Sequence, residues 1–426
     1  MTPASVLCLF FIFLVPLAAA GLSLINTGLG RSRSASHAML TALCVMAIAA
    51  MAYFFCGFAW QGFAGGAAHS LPVAGKAWNW IAAEPLFLRG RPLDGSPASL
   101  AVLLQMLSVG LAALIPLGSG ADRWRLGASC ASAALLAGWT YPLFAHWVWG
   151  GGWLAQLGVN YGLGHGFLDA GGASCIQAVG GLTALAVTWI LGPRRGKYAM
   201  HGMPAAIPGH DAVVVAFACF LTWLGWLGLN AAGAILFTGA EPGRAVLIAV
   251  NTTLSAAAGL LATVAISRFR FGKPDASLCA NGWVGGLVAS SAACAFVTPA
   301  AAVAIGLTAG ALVTVTVAYI EWPLAIDDPG GAISVHAAGG LWGVLALGIF
   351  ARFSDSVSGQ WLAQLVGIAT LIGFVLPLTY SLNWLLNRLY SQRVAPEGER
   401  QGMDLYELGA GAYPEFVTHN EEFTQQ

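Results

Sequence analysis

The sequence predicts an all-α integral membrane protein with eleven transmembrane helices, built as two inverted five-helix repeats plus an eleventh helix. Three observations carry that expectation. Of the 426 residues, 58% are hydrophobic and only 8% charged, where a soluble domain carries about 25% charged residues. The chain divides into eleven apolar runs, each close to the ~20 residues a helix needs to cross ~30 Å of hydrocarbon. Two segments 159 residues apart, Asp169–Leu182 and Asp328–Leu341, also repeat each other.

The runs lie at about 5–29, 38–60, 98–119, 126–148, 168–191, 211–236, 243–267, 277–297, 299–320, 332–353 and 361–387. Five basic clusters follow odd-numbered runs: Arg31/Arg33, Arg123/Arg125, Arg194/Arg195/Lys197, Arg268/Arg270/Lys273 and Arg388/Arg393. Lys and Arg favour cytoplasmic loops, so the N-terminus is expected outside and the C-terminus in the cytoplasm, with the chain in the cell's inner (plasma) membrane. No Lys or Arg precedes the first run, which therefore reads as a retained span, with a cleaved signal as the alternative. The longest external connection, about 62–97, carries Trp78 and Trp80, both suited to a membrane interface. The expected layout is a membrane domain over 1–388 and a cytoplasmic tail over 389–426. Within the membrane domain, repeat one covers about 5–191, repeat two about 211–353, and the eleventh helix about 361–387.

Composition excludes several classes of function. The charges balance at 18 basic and 18 acidic residues, with no basic tail for nucleic acid. The eight cysteines form no CxxC pair, so they read as small packing residues rather than a zinc site or disulfide framework. The 55 glycines allow helices to approach closely where lipid gives no hydrophobic drive to pack them. No HExxH or GxSxG pattern marks an enzyme, and no cofactor is implied.

In the repeat, eight of fourteen positions are identical, among them Asp169/Asp328, Gly172/Gly331, Ala178/Ala337 and Gly181/Gly340; Gln177 aligns with His336. Units five spans apart must have opposite orientations, the inverted-repeat plan of many transporters, whose substrate path lies near the midplane. Each unit sets a carboxylate eight residues ahead of a polar side chain, about 12 Å along one helix face. Polar groups inside a span are costly and mark pathways. The plainer reading is that the aspartates cap helix N-termini and that Gln177 and His336 make an interhelical hydrogen bond. The matched positions favour a pore-lining pair.

Other segments identify a resemblance. YPLFAHWVWGGGWLAQLG (Tyr141–Gly158), LGPRRGKY (Leu191–Tyr198), LGWLGLNAAG (Leu224–Gly233), the Asp328–His336 unit and the tail GMDLYELGAGAYPEF (Gly402–Phe416) resemble the Amt/Mep/Rh ammonium transporters, over nearly the whole chain. The resemblance implies a homotrimer with a pore in each subunit, an external vestibule, a phenylalanine gate and a conduit lined by two histidines. It also implies a tail that couples subunits and, in many bacteria, a PII signalling protein at the cytoplasmic face. By position, substrate recruitment falls to Trp149, Asp169 and Gly233, the gate to Leu104, Ser108 and Leu229, and the pore lining to Gln177, His336 and Trp226. Several of these depart from the family pattern. Gln177 stands for the first histidine, Leu104, Ser108 and Leu229 for gate phenylalanines, and Gly233 for a serine.

These departures set the functional expectations. A cation leaves water only if dipoles or π faces replace its hydration. Losing rings and a hydroxyl leaves a gate expected to be wider. A glutamine amide hydrogen-bonds but does not titrate, so a two-histidine proton relay is expected to be absent. The leading expectation is a transporter or channel for ammonium or a related small amine. The alternatives are transport of a larger methylated cation such as choline, or a non-conducting ammonium sensor.

Overall fold

The computed structural model describes residues 1–198, 203–353 and 358–413; Pro414–Phe416 of the tail segment lie outside them. Eleven long helical units run through the described residues in the expected order. They are α1 (Pro3–Leu29), α2 (Ser32–Gln61), α3 (Pro97–Gly120), α5 (Ala173–Leu191), α6 (Ala212–Thr238), α7 (Pro242–Phe271), α9 (Pro299–Glu321), α10 (Ile333–Phe350) and α11 (Gln360–Leu389), with α4 and α8. Helix α4 runs from Leu126–Leu135 through a wide turn, Leu136–Thr140, into Tyr141–Val148; α8 is Ala276–Ser290.

Local sequence explains the starts. Thr2, Ser96, Asp211, Asp275 and Thr298 each accept a backbone N–H in the first turn of a helix, relieving one of the orphan donors there. Pro3, Pro97 and Pro299 sit at the first helical position, where a missing N–H costs nothing.

Helices α1 and α6 share the most extensive contact between elements of the molecule. They run antiparallel, with Gly28 against Val215, Gly21 against Thr222, and Gly225 against Ala18. A methyl group at any of these glycines would overlap the facing helix, so small residues here set the separation of the two repeats.

The repeats are related by reciprocal contacts. Gly171 donates its N–H to Ser291 O (2.8 Å), and its counterpart Gly330 donates to Gly118 O (3.0 Å). Gly181 packs on Ala337, and its counterpart Gly340 on Ala178. Gly171/Gly330, Gly181/Gly340 and Ala178/Ala337, each 159 residues apart, thus enter reciprocal contacts, as an inverted repeat requires.

One expectation is corrected. The eighth span ends at Ser290 rather than about 297, because Ser291 and Ala292 leave the helix and turn their carbonyls to the N–H groups of Gly171 and Ala170. The 62–97 connection is structured. It holds an antiparallel hairpin, β1 (Ala68–Val73) and β2 (Lys76–Ala82), with a bulge at His69/Ser70. Trp78 is buried there against Tyr161, 5.3 Å between ring centres; Trp80 packs on Trp153.

Four of the basic clusters gather on one face. Arg194 clasps Asp327 through Nε and Nη2 at 2.9 and 3.0 Å, and Asp122 through Nη1 at 3.1 Å. Arg123 donates to Asp327 O, Arg31 lies near Asp122, and Arg393 reaches the carbonyls of Leu191 and Pro193. Burial by itself would raise the Asp327 carboxyl. Hydrogen bonds from Arg194, with the charges of Arg123 and Arg194, outweigh burial and hold it below its ordinary value.

The tail docks on this face. Asp404 accepts the N–H groups of Ser36 and His37 at the start of α2. Glu407 takes His37 Nε2 and Leu126 N, and Glu399 takes Arg195 N and Arg393.

Candidate functional site

Both repeated segments begin alike. Gly172 and Gly331 hold φ of +92° and +68°, a left-handed conformation that a side chain strains. Each precedes a turn of the wide, i to i+5 kind, Ala173–Ala178 and Ile333–Ala338. Such turns recur at functional sites, and nothing in hydrophobic periodicity announces them.

The aspartates organise these turns. Asp169 Oδ1 accepts Gly172 N and Ala173 N at 2.8 and 2.9 Å. Its Oδ2 accepts Ser174 N, Ser174 Oγ and Cys175 N. Asp328 does the same with Ala332 N, Ile333 N and Ser119 Oγ. The capping reading therefore holds for both. Asp169, expected to recruit substrate, has both oxygens engaged by hydrogen bonds within its own turn. Of the two neighbouring carboxylates, Asp328 is the cap and Asp327 belongs to the arginine cluster.

Just past these turns' midpoints the repeats meet. His336 Nδ1 lies 2.7 Å from Gln177 Oε1; Gln177 is fully buried and His336 5% exposed. With the amide oxygen facing the ring, Nδ1 carries the proton and donates it, leaving the Nε2 lone pair as acceptor. The Gln177 NH2 has no partner among the described residues. The pair thus presents one acceptor and one donor side by side.

Trp149, Asp169 and Gly233 also come together. Trp149 Nε1 donates to Asp169 O at 2.7 Å, and Gly233 packs on the carbonyl of Ala170. Two features here escape the sequence reading. Phe237, one turn past Gly233, stacks on Trp149 with centres 4.2 Å apart and planes 13° from parallel. One π face of Trp149 is therefore covered. Gly233 opens no space either, because the Ala170–Gly171 backbone occupies the position where its side chain would stand. The widening expected there is corrected: the glycine serves close packing.

Leu104 and Ser108 lie a turn apart on α3, and Leu229 on α6, all at most 1% exposed. The Ser108 hydroxyl has no partner among the described residues. Trp226 is fully buried, its indole N–H donated to Ser291 Oγ at 3.1 Å. Asn230 on the same helix reaches Thr252 Oγ1.

An inverted repeat of membrane helices, meeting at paired polar side chains in the interior, defines a multi-pass membrane transporter rather than an enzyme. The comparisons make the class specific: residues 6–413 match the model of the Ammonium Transporter Family, and the chain belongs to that family. It is 36% identical to the ammonium transporter Amt2 of Archaeoglobus fulgidus, over 95% of this chain and 87% of that protein. With the Bacillus subtilis ammonium transporter it shares 30% identity over 96% and 98%. Among solved structures, a sensor Amt protein superposes with a TM-score of 0.85 at 28% identity, covering 95% of this chain and 98% of that one. Mep2 of Saccharomyces cerevisiae superposes at 0.76 with 25% identity, covering 91% and 88%.

Proposed function

We propose that this protein transports ammonium across the inner (plasma) membrane through a pore in each subunit, past Trp149, the Leu104–Ser108–Leu229 gate and the Gln177–His336 pair. The observation that carries the reading is the Gln177–His336 hydrogen bond where the two repeats meet. Ammonia has three N–H donors and one lone pair. His336 Nε2 accepts one donor, and the Gln177 NH2 meets the lone pair. A four-donor ammonium ion would meet that NH2 unfavourably. Neutral ammonia suits this station better than the ion does.

The face that gathers Arg31, Arg123, Arg194 and Arg393 is cytoplasmic in this reading, which puts the N-terminus outside. The membrane domain spans 1–388 and the tail 389–426. The tail's grip on α2 and α4 supports a regulatory role, in a homotrimer whose basic face meets a PII protein. A larger methylated cation fits less well, because backbone fills the space beside Gly233.

The resemblance to a sensor Amt protein and the covering of Trp149 by Phe237 favour a second reading, a sensor that binds ammonium without conducting it. Proteoliposomes challenged with ammonium, methylammonium and choline, read for both current and internal pH change, decide. Saturable ammonium uptake by either readout supports transport; silence in both with ammonium binding retained supports the sensor.

A further inference from the structure

Where the tail meets the basic face there is an open pocket of about 780 Å³, walled by Arg125, Arg194, Arg195, Ser391, Arg393 and Tyr406. The chain sets it at three helix ends. Arg125 immediately precedes α4, Arg194 and Arg195 follow α5 by three and four residues, and Ser391 and Arg393 follow α11 by two and four. The pocket therefore lies where these spanning helices leave the hydrocarbon.

Its arginines are not equally occupied. Arg194 is committed to Asp327 and Asp122. Arg393 donates to Leu191 O, Pro193 O and Glu399 Oε2. Arg195 is different. Its side chain is 50% exposed and comes no nearer a carboxylate than 3.8 Å, Nε to Glu399, with no side-chain hydrogen bond among the described residues. Arg125 lies over the Tyr390 ring at 4.5 Å, holds Ser391 O through Nη1 at 3.4 Å and stands 3.7 Å from Glu407. Two carboxylates, Glu399 and Glu407, thus serve three guanidinium groups, and Glu407 is shared with His37.

Open guanidinium forks on one pocket call for an anion with oxygens on more than one side. A carboxylate offers two oxygens in one plane. A phosphoryl group offers a tetrahedral array, and its oxygens match the fork of an arginine. Tyr406 adds to the wall, its ring packed on Gly398 and its hydroxyl bonded to nothing among the described residues. Basic pockets among helix ends take lipid head groups, and Leu389 and Tyr390, exposed beside Ser391, give this one an apolar flank.

We propose that the pocket is a phosphoryl-binding site, in which Arg125 and Arg195 grip the anion and Tyr406 of the tail completes the wall. Its sides come from both the membrane domain and the tail, so an occupant ties the two together. The site goes beyond the transport reading and does not depend on it.

The test takes the full-length protein in neutral detergent micelles and follows melting temperature, which rises with any ligand of the folded state. One arm compares sodium phosphate with sodium chloride at matched ionic strength. The other compares phosphatidylglycerol with phosphatidylcholine, whose choline offsets the phosphate charge. Stabilisation by phosphate assigns a soluble phosphoryl compound, and stabilisation by phosphatidylglycerol a lipid head group; both together assign a site open to either. Arg195→Gln should weaken the effective probe about fivefold, the contribution of one Lys or Arg near an anionic surface. The Arg125→Gln/Arg195→Gln double should weaken it about twentyfold. Arg270→Gln, at an exposed arginine outside the pocket, should leave it unchanged. Because the Arg195 side chain makes no hydrogen bond, its replacement should not lower the melting temperature without probe. If neither probe stabilises beyond its control, the site is overturned. The same holds if Arg270→Gln weakens binding as much as Arg195→Gln, since diffuse surface charge would then account for it. Protease cleavage within residues 395–413 reads the tie to the tail. The effective probe should protect that segment in the wild type and not in the double variant; equal cleavage of the wild type with and without probe overturns the tie.

Discussion

His336 Nδ1 and Gln177 Oε1 stand 2.7 Å apart at equivalent places in the two repeats, so one hydrogen bond joins the repeats through an imidazole on one side and an amide on the other. Replacing Gln177 by His should add a second titrating group and change the charge moved per ammonium; a ratio unchanged from wild type would refute the assigned role. Gln177→Leu should leave the buried His336 N–H without an acceptor, at a cost of about 1–3 kcal/mol, read as a fall in melting temperature.

The two caps are unequal. Asp169 accepts five hydrogen bonds and Asp328 three. Losing a helix cap costs about 0.5–2 kcal/mol. Asp169→Ala is expected at or beyond the upper end and Asp328→Ala below it, ranked by thermal denaturation in detergent. The reverse order would show that the hydrogen bonds are not what these carboxylates contribute.

Gly233→Ser tests the packing role given to that glycine. If position 233 were open, a serine would be tolerated and would improve ammonium binding. Because Ala170 O occupies the place, the substitution should destabilise the protein by about 1–3 kcal/mol, as overpacking does. Melting temperature and half-saturating ammonium, measured together, separate the two outcomes.

The tail should release in acid. Burial would raise Glu407, but hydrogen bonds from His37 and Leu126 N, with the charges of His37 and Arg125, hold it below its ordinary value. A carboxyl lowered in the docked state contributes its full stabilisation above the undocked value, about 4.3. That contribution is lost as pH falls through the lower, docked value. Protease sensitivity of residues 395–413 should therefore rise in that acid window, and Glu407→Gln should flatten the response.

Much of this architecture is legible in the chain because membrane helices declare themselves locally. Apolar length, Thr2 or Ser96 ahead of a proline, and clustered arginines are all short-range signals. The repeat shows because Asp169, Gly172 and Gly181 are fixed by backbone needs that recur in the other half. Phe237 on Trp149 is different. A phenylalanine on an apolar helix looks like any lipid-facing residue until the fold brings it to a tryptophan 88 positions away. The filling of the Gly233 position, the wide turns of α2 and α4, and the fold of the hairpin are likewise set by neighbours distant in sequence. A lone glycine reads equally as space or as contact, and only the facing backbone decides which.

The arginine cluster also has a meaning for biogenesis. When α5 has emerged from the ribosome, Arg194 is present but Asp327, 133 residues later, has yet to be made. At about 5–20 residues per second, the wait is roughly 7–27 s. Through that interval Arg194 has only Asp122, of its two carboxylate partners, to bond. When Asp327 arrives it takes Nε and Nη2 of Arg194 and ties the second half to the first. Asp327 thus serves as the late-arriving clasp that completes assembly.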